Sequence, residues 1–494
     1  MSGWDDQVAG ADAVSVAWGV LLVRAVCRPS DVHRLTQEIF NAGSGRYLSE
    51  ELAPYRAEAE ASLRAEAETA GVSPEAVPLA AIYAKVGELL VLDPATTAAL
   101  LEAELAAERQ LLRADPRQRE RYRAAVAAGT PVVVVADTGL PRPFLAEVLE
   151  AQGFPAPQGL VVSSHPGRPG ADAVWDELLG PAPGRTLIHV GPAQSVGPPR
   201  PRVTGAVAVT GPVDAYRLQH GPAVALDGPR VFAHLDIDGY RLKNLHRSLL
   251  NAQVATGLSV EPAPSARQAV GYGALGPFLL AVVQWVHRAA VGRGCSSLLF
   301  DPADGRFVAD AYCAWWGPEA LPVGWTGESG GGDGRAGSVT SGWNAGSERW
   351  DGTAPTPVGP TEAAGPVVLA VAVDPSAAEE ESGTVVMEAF VGGRLTGQQA
   401  LFDDVFAADR GFLSAWLGGV EPTGAPSGAL DDLRRSAVRF VSDFRALTSG
   451  MPSTVAIVDD RTACENLVMV LNFPQPDAAG VLGLGAPQGP GATG

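Results

Sequence analysis

Apolar positions along the chain change period twice. The first run, AVSVAWGVLLVRAV at 13–26, has no helical stripe and reads as a strand. It leads into CRPSDVHRLTQEIF, where Ser30 or Asp31 can cap a helix. Three segments then carry Ala, Leu, Glu and Arg at helical spacing: 49–71, 74–90 and 93–129, with Pro and Gly at their joints. They predict a helical module of about a hundred residues between the first strand and the second. From Thr130 the pattern shortens to PVVVVAD, LPRPFLAEVLEAQG, GLVVSS, ADAVWDELLG, RTLIHVG and GAVAVTG. Strands that alternate with helices predict a doubly wound parallel sheet.

The fold class expected is therefore α/β: a Rossmann-like core with a parallel sheet and a large helical insertion after its first strand, followed by a second α/β region. The first domain is placed at 1–215, with its helical insertion at about 30–128. A second region, 216–323, contains VFAHLDIDGYRL, a long apolar helix around Leu275 to Ala290, the strand SSLLF and a helix through Tyr312. Residues 324–365 become Gly, Ser, Thr and Pro and read as a linker or disordered loop. A C-terminal α/β segment spans 366–480, with amphipathic helices near Phe402 to Leu417 and Leu430 to Leu447. The tail 481–494 is expected to be disordered.

Composition narrows the function. A net charge of -19 opposes nucleic acid and anionic lipid, because phosphate contact is driven by Lys and Arg. The four cysteines, Cys27, Cys295, Cys313 and Cys464, are scattered without a CxxC pair and read as reduced structural thiols. MSGWDDQVAG is acidic where a signal peptide would be basic. GPFLLAVVQWVHRAA meets Gln284, His287 and Arg288 too soon to span a bilayer. The expectation is a cytoplasmic protein with no membrane and no nucleic-acid partner.

The ordered set AVSVAWGVLLVR, YRAEAEASLR, LAAIYAKV, VVVVADTGLP, LVVSSHPG, LIHVGPAQS, YGALGPFLLAVVQWVHRAA and LLFDPADGRFV, over residues 12–316, resembles the haloacid dehalogenase (HAD) superfamily with a helical cap. It is most similar to a bacterial branch of hydrolases encoded beside surface-polysaccharide glycosyltransferases. The resemblance implies an aspartate nucleophile, a second acid and Mg²⁺. Matched to that branch, Val16 stands at the nucleophile and Gly19 at the second acid. ADTGLP puts Ala136 where a phosphate-binding hydroxyl belongs and keeps Asp137 and Thr138 beside it. The third motif lacks its Lys, with Arg168 the available stand-in of different geometry. The fourth has Pro192 at its first acid, with Val196 or Gly197 at the second.

Four sites have thus lost the groups that phosphoryl transfer needs. The resemblance then implies a catalytically silent HAD-like protein, an interaction or regulatory chain with a protein partner, without cofactor, in a bacterial biosynthetic pathway. Two alternatives stand beside it. One is a phosphohydrolase, with Mg²⁺, using Asp236 and Asp238 of the D-x-D-G at 236–239. The other is a module that binds a phosphorylated small molecule, a sugar phosphate or nucleotide, without chemistry, through Asp137, Thr138 and Arg168.

The remaining motifs read as structure. Asp238 before Gly239 fits a turn into a helix, and Asp301 and Asp304 a helix entry. Asp137 reads as a cap on the turn into the helix near Pro141. The seven histidines, 33, 165, 189, 220, 234, 246 and 287, show no metal-ligand spacing, and His189 reads as packed in a strand. Trp315 and Trp316, with Trp325, Trp343 and Trp350, place aromatics beside or inside the linker as anchors to the core or to a partner.

Overall fold

The computed structural model describes residues 8, 10–72, 74, 77–164, 186–192, 205–209, 245–259, 264–292, 297–300, 306–325, 368–371, 429–458, 462–463, 466–467 and 481. Chain contacts divide into two units. The first holds 1–226, 237–261 and 447–456, so chain downstream of residue 215 rejoins the N-terminal unit.

Its centre is β1 (Ala13–Ala17), β4 (Val132–Ala136), β5 (Gly159–Val162), β6 (Leu187–Pro192) and β7 (Gly205–Val209). They form one parallel sheet in the order β5-β4-β1-β6-β7. The doubly wound α/β sheet expected from the sequence is present. β4, read from VVVVA, is buried at every position, as a central parallel strand must be. Val14, Val16, Val132, Val134 and Val190 join the main core on one face, while Ala13, Val133, Val135, Val161 and Leu187 form a smaller cluster on the other.

The first apolar run is not one long strand. β1 stops at Ala17; Trp18–Leu21 make a single helical turn, α1, and Leu22–Arg24 form β2. β2 pairs antiparallel with β3 (Leu112–Ala114), in register Leu22 with Ala114. The turn lets the chain reverse its pairing: Val16 belongs to the parallel sheet and Val23 to a separate two-stranded ribbon.

Between β2 and β3 lie α2 (Asp31–Gly43), α3 (Leu52–Thr69), α4 (Leu79–Leu89) and α5 (Pro94–Leu111). The helical insertion therefore leaves and re-enters through adjacent strands. α6 (Pro116–Ala127) follows β3 and leads back to β4, and α7 (Arg142–Ala151) connects β4 to β5. Ser30 occupies the N-cap of α2 as expected, without a side-chain cap bond. Asp93 and Asp115 cap α5 and α6 through their side chains, each before a Pro that favours the first turn. The insertion touches the sheet's edge where Leu79 N–H donates to the Gly139 carbonyl at 2.8 Å. A Cβ at Gly139 would meet the Val77 carbonyl oxygen at 2.9 Å, so this approach requires glycine. α8 (Leu245–Leu258) also packs in this unit, where the Cys27 N–H donates to Ser248 Oγ at 2.8 Å.

The second unit joins β8 (Ser297–Phe300), β9 (Val323–Trp325) and β10 (Val368–Val371) in the parallel order β10-β8-β9. The strand PVVLAVAVD thus shares a sheet with SSLLF. The long apolar helix is interrupted: α9 (Ala266–Val270) passes through a π-helical turn, Gly271–Leu275, into α10 (Gly276–Gly292). It is long and apolar enough to cross a membrane, but 94% of its most apolar window is buried within the protein, as in a core helix. α11 (Arg306–Trp316) and α12 (Ala429–Thr448) pack in the same unit, with Trp315 stacked on Phe444 and Trp316 on His287. Those two tryptophans are anchors to the core; α13 (Ser453–Ala456) closes the first unit. The expected helices at 171–180 and 402–417 and most of the linker fall outside the described residues.

One backbone feature is strained. Val91, between α4 and α5, has φ 53° and is 90% exposed, although a β-branched residue disfavours the left-handed region. Val91→Gly is expected to stabilise the protein by about 1 kcal/mol, read as a higher urea midpoint at unchanged m value.

Candidate functional site

In an open parallel sheet, ligands lie beyond the carboxyl ends of the strands, beside the point where strand order reverses. Here β4 and β5 add on one side of β1, and β6 and β7 on the other. A cavity of about 220 Å³ lies just past the ends of β1 and β4. Trp18, which follows β1, and Asp137 and Thr138, which follow β4, line it from the sheet. His33 of α2, Arg56 of α3, Ile82 of α4 and Glu104 of α5 line it from the helical insertion.

Glu104 is the hub of this cavity. It is 2% exposed on the apolar stripe of α5, between Leu100 and Ala107. Arg56 Nε and Nη2 each donate to it at 3.0 Å, a bidentate pair. The Tyr83 hydroxyl donates to the same carboxylate. His33 Nδ1 lies 3.5 Å away, long for a hydrogen bond, and has no other partner among the described residues. One side chain from each of α2, α3 and α4 therefore converges on a single carboxylate of α5.

The electrostatics follow from that geometry. Burial opposes ionisation of Glu104, but the His33 ring and the Arg56 guanidinium outweigh it and hold its pKa at about 2. Burial together with the Glu104 carboxylate pushes the Tyr83 hydroxyl well above its ordinary range, so it stays a donor. Burial also opposes the Arg56 charge, and Glu104 more than compensates.

A second pair stands beside the first. Arg24, the last residue of β2, binds Glu108 of α5 through Nε at 2.9 and 3.0 Å and Nη2 at 2.8 Å. Its guanidinium lies over the Trp18 ring, 5.1 Å from the centroid. This pair connects the strand ribbon to the insertion. Glu60 accepts from Arg56 Nη1 at 2.8 Å and pairs with Arg64.

The residues singled out by sequence fall as follows. Val16 is fully buried in the core, and Gly19 is exposed on the turn of α1. Ala136 is buried at the end of β4 and Pro192 ends β6. Asp137 is exposed and faces the cavity, but it does not cap the following helix: α7 has Pro141 at its N-cap, with no side-chain cap bond. In the turn Thr138 N–H donates to Ser163 Oγ at 2.9 Å and Leu140 N–H to Thr138 Oγ1 at 3.3 Å. His189 sits in β6 with Nδ1 3.0 Å from Ser15 Oγ, packed as expected. Arg168, Asp236, Asp238, Asp301 and Asp304 lie outside the described residues.

Mg²⁺ requires several hard oxygen donors. Val16, Gly19 and Pro192, the described positions where the resemblance calls for acids beside the ion, offer no side-chain oxygen. Among the described residues, no group of three His, Cys, Asp or Glu is arranged to hold a metal. These residues do not fit a catalytic Mg²⁺.

The cavity's own residues, Trp18, Arg24, His33, Arg56, Glu104 and Glu108, were not anticipated. AEAEASLRAEAE and LEAELAAERQLL read as helices by their spacing alone, with no role given to their charges. The available signal was position: Arg56 falls in line with Leu52 and Ala59, and Glu104 with Leu100 and Leu111, on the stripes that turn inward. No family model and no curated protein matches the chain.

Removing one member of a buried ion pair strands the other. Glu104→Gln is expected to cost about 3–5 kcal/mol of stability at neutral pH. The pH profile supplies its own check. A carboxylate held at about pKa 2 stabilises the fold above its unfolded value, near 4.5, and that stability is lost as pH falls from there toward 2. Urea titrations should show wild-type stability declining across that acid window, and the Gln variant declining less.

Proposed function

We propose that the chain is a catalytically silent HAD-like protein whose helical cap and sheet are retained as a scaffold, and that it acts as an interaction or regulatory protein in a bacterial biosynthetic pathway. The observation that carries this reading is the state of the cavity at the sheet's carboxyl edge. Where the resemblance calls for a nucleophile and its acid partner, the chain has Val16 inside the core and Gly19 on a turn. Where it calls for a hydroxyl and a metal ligand, it has Ala136 and Pro192. The three glutamates that do reach the cavity, Glu60, Glu104 and Glu108, are all engaged by arginines. A carboxylate neutralised in this way is a poor nucleophile and a poor general base.

The cap reading draws support from the insertion's placement. It sits between β2 and β3, immediately after the first strand of the parallel sheet, and roofs the cavity with four helices. A scaffold emptied of its chemistry but still packed to this degree serves recognition, and a protein partner is the expected counterpart.

The purified full chain with millimolar Mg²⁺ is expected to hydrolyse p-nitrophenyl phosphate no faster than buffer. Turnover that a chelator abolishes would defeat the reading. Turnover that also disappears on replacing Asp236 and Asp238 would establish the alternative phosphohydrolase.

A further inference from the structure

Carboxylates outnumber guanidiniums around the cavity by one, and some of its hydrogen-bonding groups are unused. Three guanidiniums, Arg24, Arg56 and Arg64, face four carboxylates, Glu60, Glu104, Glu108 and Asp137. A cleft shaped for a phosphate dianion carries a surplus of cations; this one carries none. Each arginine nonetheless has five N–H donors. Arg24 gives Nε and Nη2 to Glu108, and its Nη1 group makes no hydrogen bond among the described residues. Arg64 gives a single Nη2 contact to Glu60 and is half-exposed at the cavity. His33 also lines the cavity, but its buried Nδ1 is turned to Glu104 at 3.5 Å and is not offered to a ligand.

Resting on the reading of the cleft as non-catalytic, we infer that this cavity is a binding site for an uncharged polyhydroxylated small molecule. Arg24 Nη1 and Arg64 supply donors to its oxygens, and Glu60 accepts from its hydroxyls. Hydroxyl groups both donate and accept, so they match a wall in which spare N–H groups stand beside carboxylates with spare lone pairs. A phosphorylated ligand instead adds two negative charges to a wall that already has four carboxylates, and its desolvation goes uncompensated. The Trp18 indole and Leu79, Ile82 and Leu140 give the apolar part of the lining. A volume of about 220 Å³ equals the space of about seven waters, or about a dozen non-hydrogen atoms at interior packing density. One six-membered polyol ring has that size.

The test uses the full chain in titration calorimetry and thermal melts with four probes: myo-inositol, D-glucose, D-glucose 6-phosphate and inorganic phosphate. Binding of at least one neutral polyol, with a raised Tm and an affinity at least about tenfold above that of either phosphate probe, is expected. Tighter binding of either phosphate, or a flat response to both polyols up to about 10 mM, would overturn the inference. Arg64→Met removes a half-exposed side chain and leaves the Glu104 hub intact, and Arg24→Lys keeps a cation beside Glu108 while removing the Nη1 donors. Each folded variant is expected to bind the polyol about tenfold more weakly, and wild-type affinity in both would place the ligand elsewhere. Phosphatase turnover is scored separately, so a failure of the non-catalytic reading is distinguishable from a failure of polyol binding.

Discussion

Four helices of the first unit meet at one buried carboxylate. Glu104 draws in Arg56, Tyr83 and His33, and each partner arrives from a different helix. An ionised group this deep is costly to desolvate and is tolerated only when its oxygens are fully engaged. The helices must therefore hold mutual positions that keep it satisfied, and those positions leave the cavity between them and the sheet. The Arg24–Glu108 pair extends the constraint to β2 and, through Trp18, to the turn that ends β1.

The sheet sets where this matters. Its strand order places the carboxyl ends of β1 and β4 beneath the helical insertion, and Gly139 permits the close backbone approach that seals the edge. The same place in other α/β sheets carries ligands and chemistry. In this chain β1 and β4 end on apolar residues, with Asp137 and Thr138 just beyond β4, and most of the charge at the cavity comes from the helices, where the glutamates are paired with arginines. The second unit has a separate core, in which Gly271 and Gly276 allow the backbone of α12 and the Phe440 ring to come close to the apolar helix.

Much of the fold was legible because it depends on period. VVVVA reads as a strand buried on both faces, and the spacing in α2 to α5 reads as helix, although the short strand Leu112–Ala114 inside the expected insertion left no mark in the pattern. What the pattern hid were breaks inside apolar runs. AVSVAWGVLLVR contains a strand, a turn and a second strand that pairs elsewhere, because apolarity alone does not say which neighbour a strand will choose. The π-helical turn at Gly271–Leu275 was hidden in the same way, inside an unbroken hydrophobic helix. The site was less legible still. The resemblance points to Val16, Gly19, Ala136 and Pro192, whereas the charged groups that line the cavity are mostly Glu and Arg residues drawn from helices rich in both. Only their position on inward-facing stripes separates Arg56 and Glu104 from the solvated charges around them.

The Arg56–Glu104 pair organises the insertion around the cavity. A double-mutant cycle measures it most directly: equilibrium urea unfolding of the wild type, Arg56→Met, Glu104→Met and the double variant. A coupling energy of about 2–3 kcal/mol, with the double variant more stable than either single one, is the predicted result. Single effects that add to within about 0.5 kcal/mol would contradict the account, because the two side chains would then be acting independently.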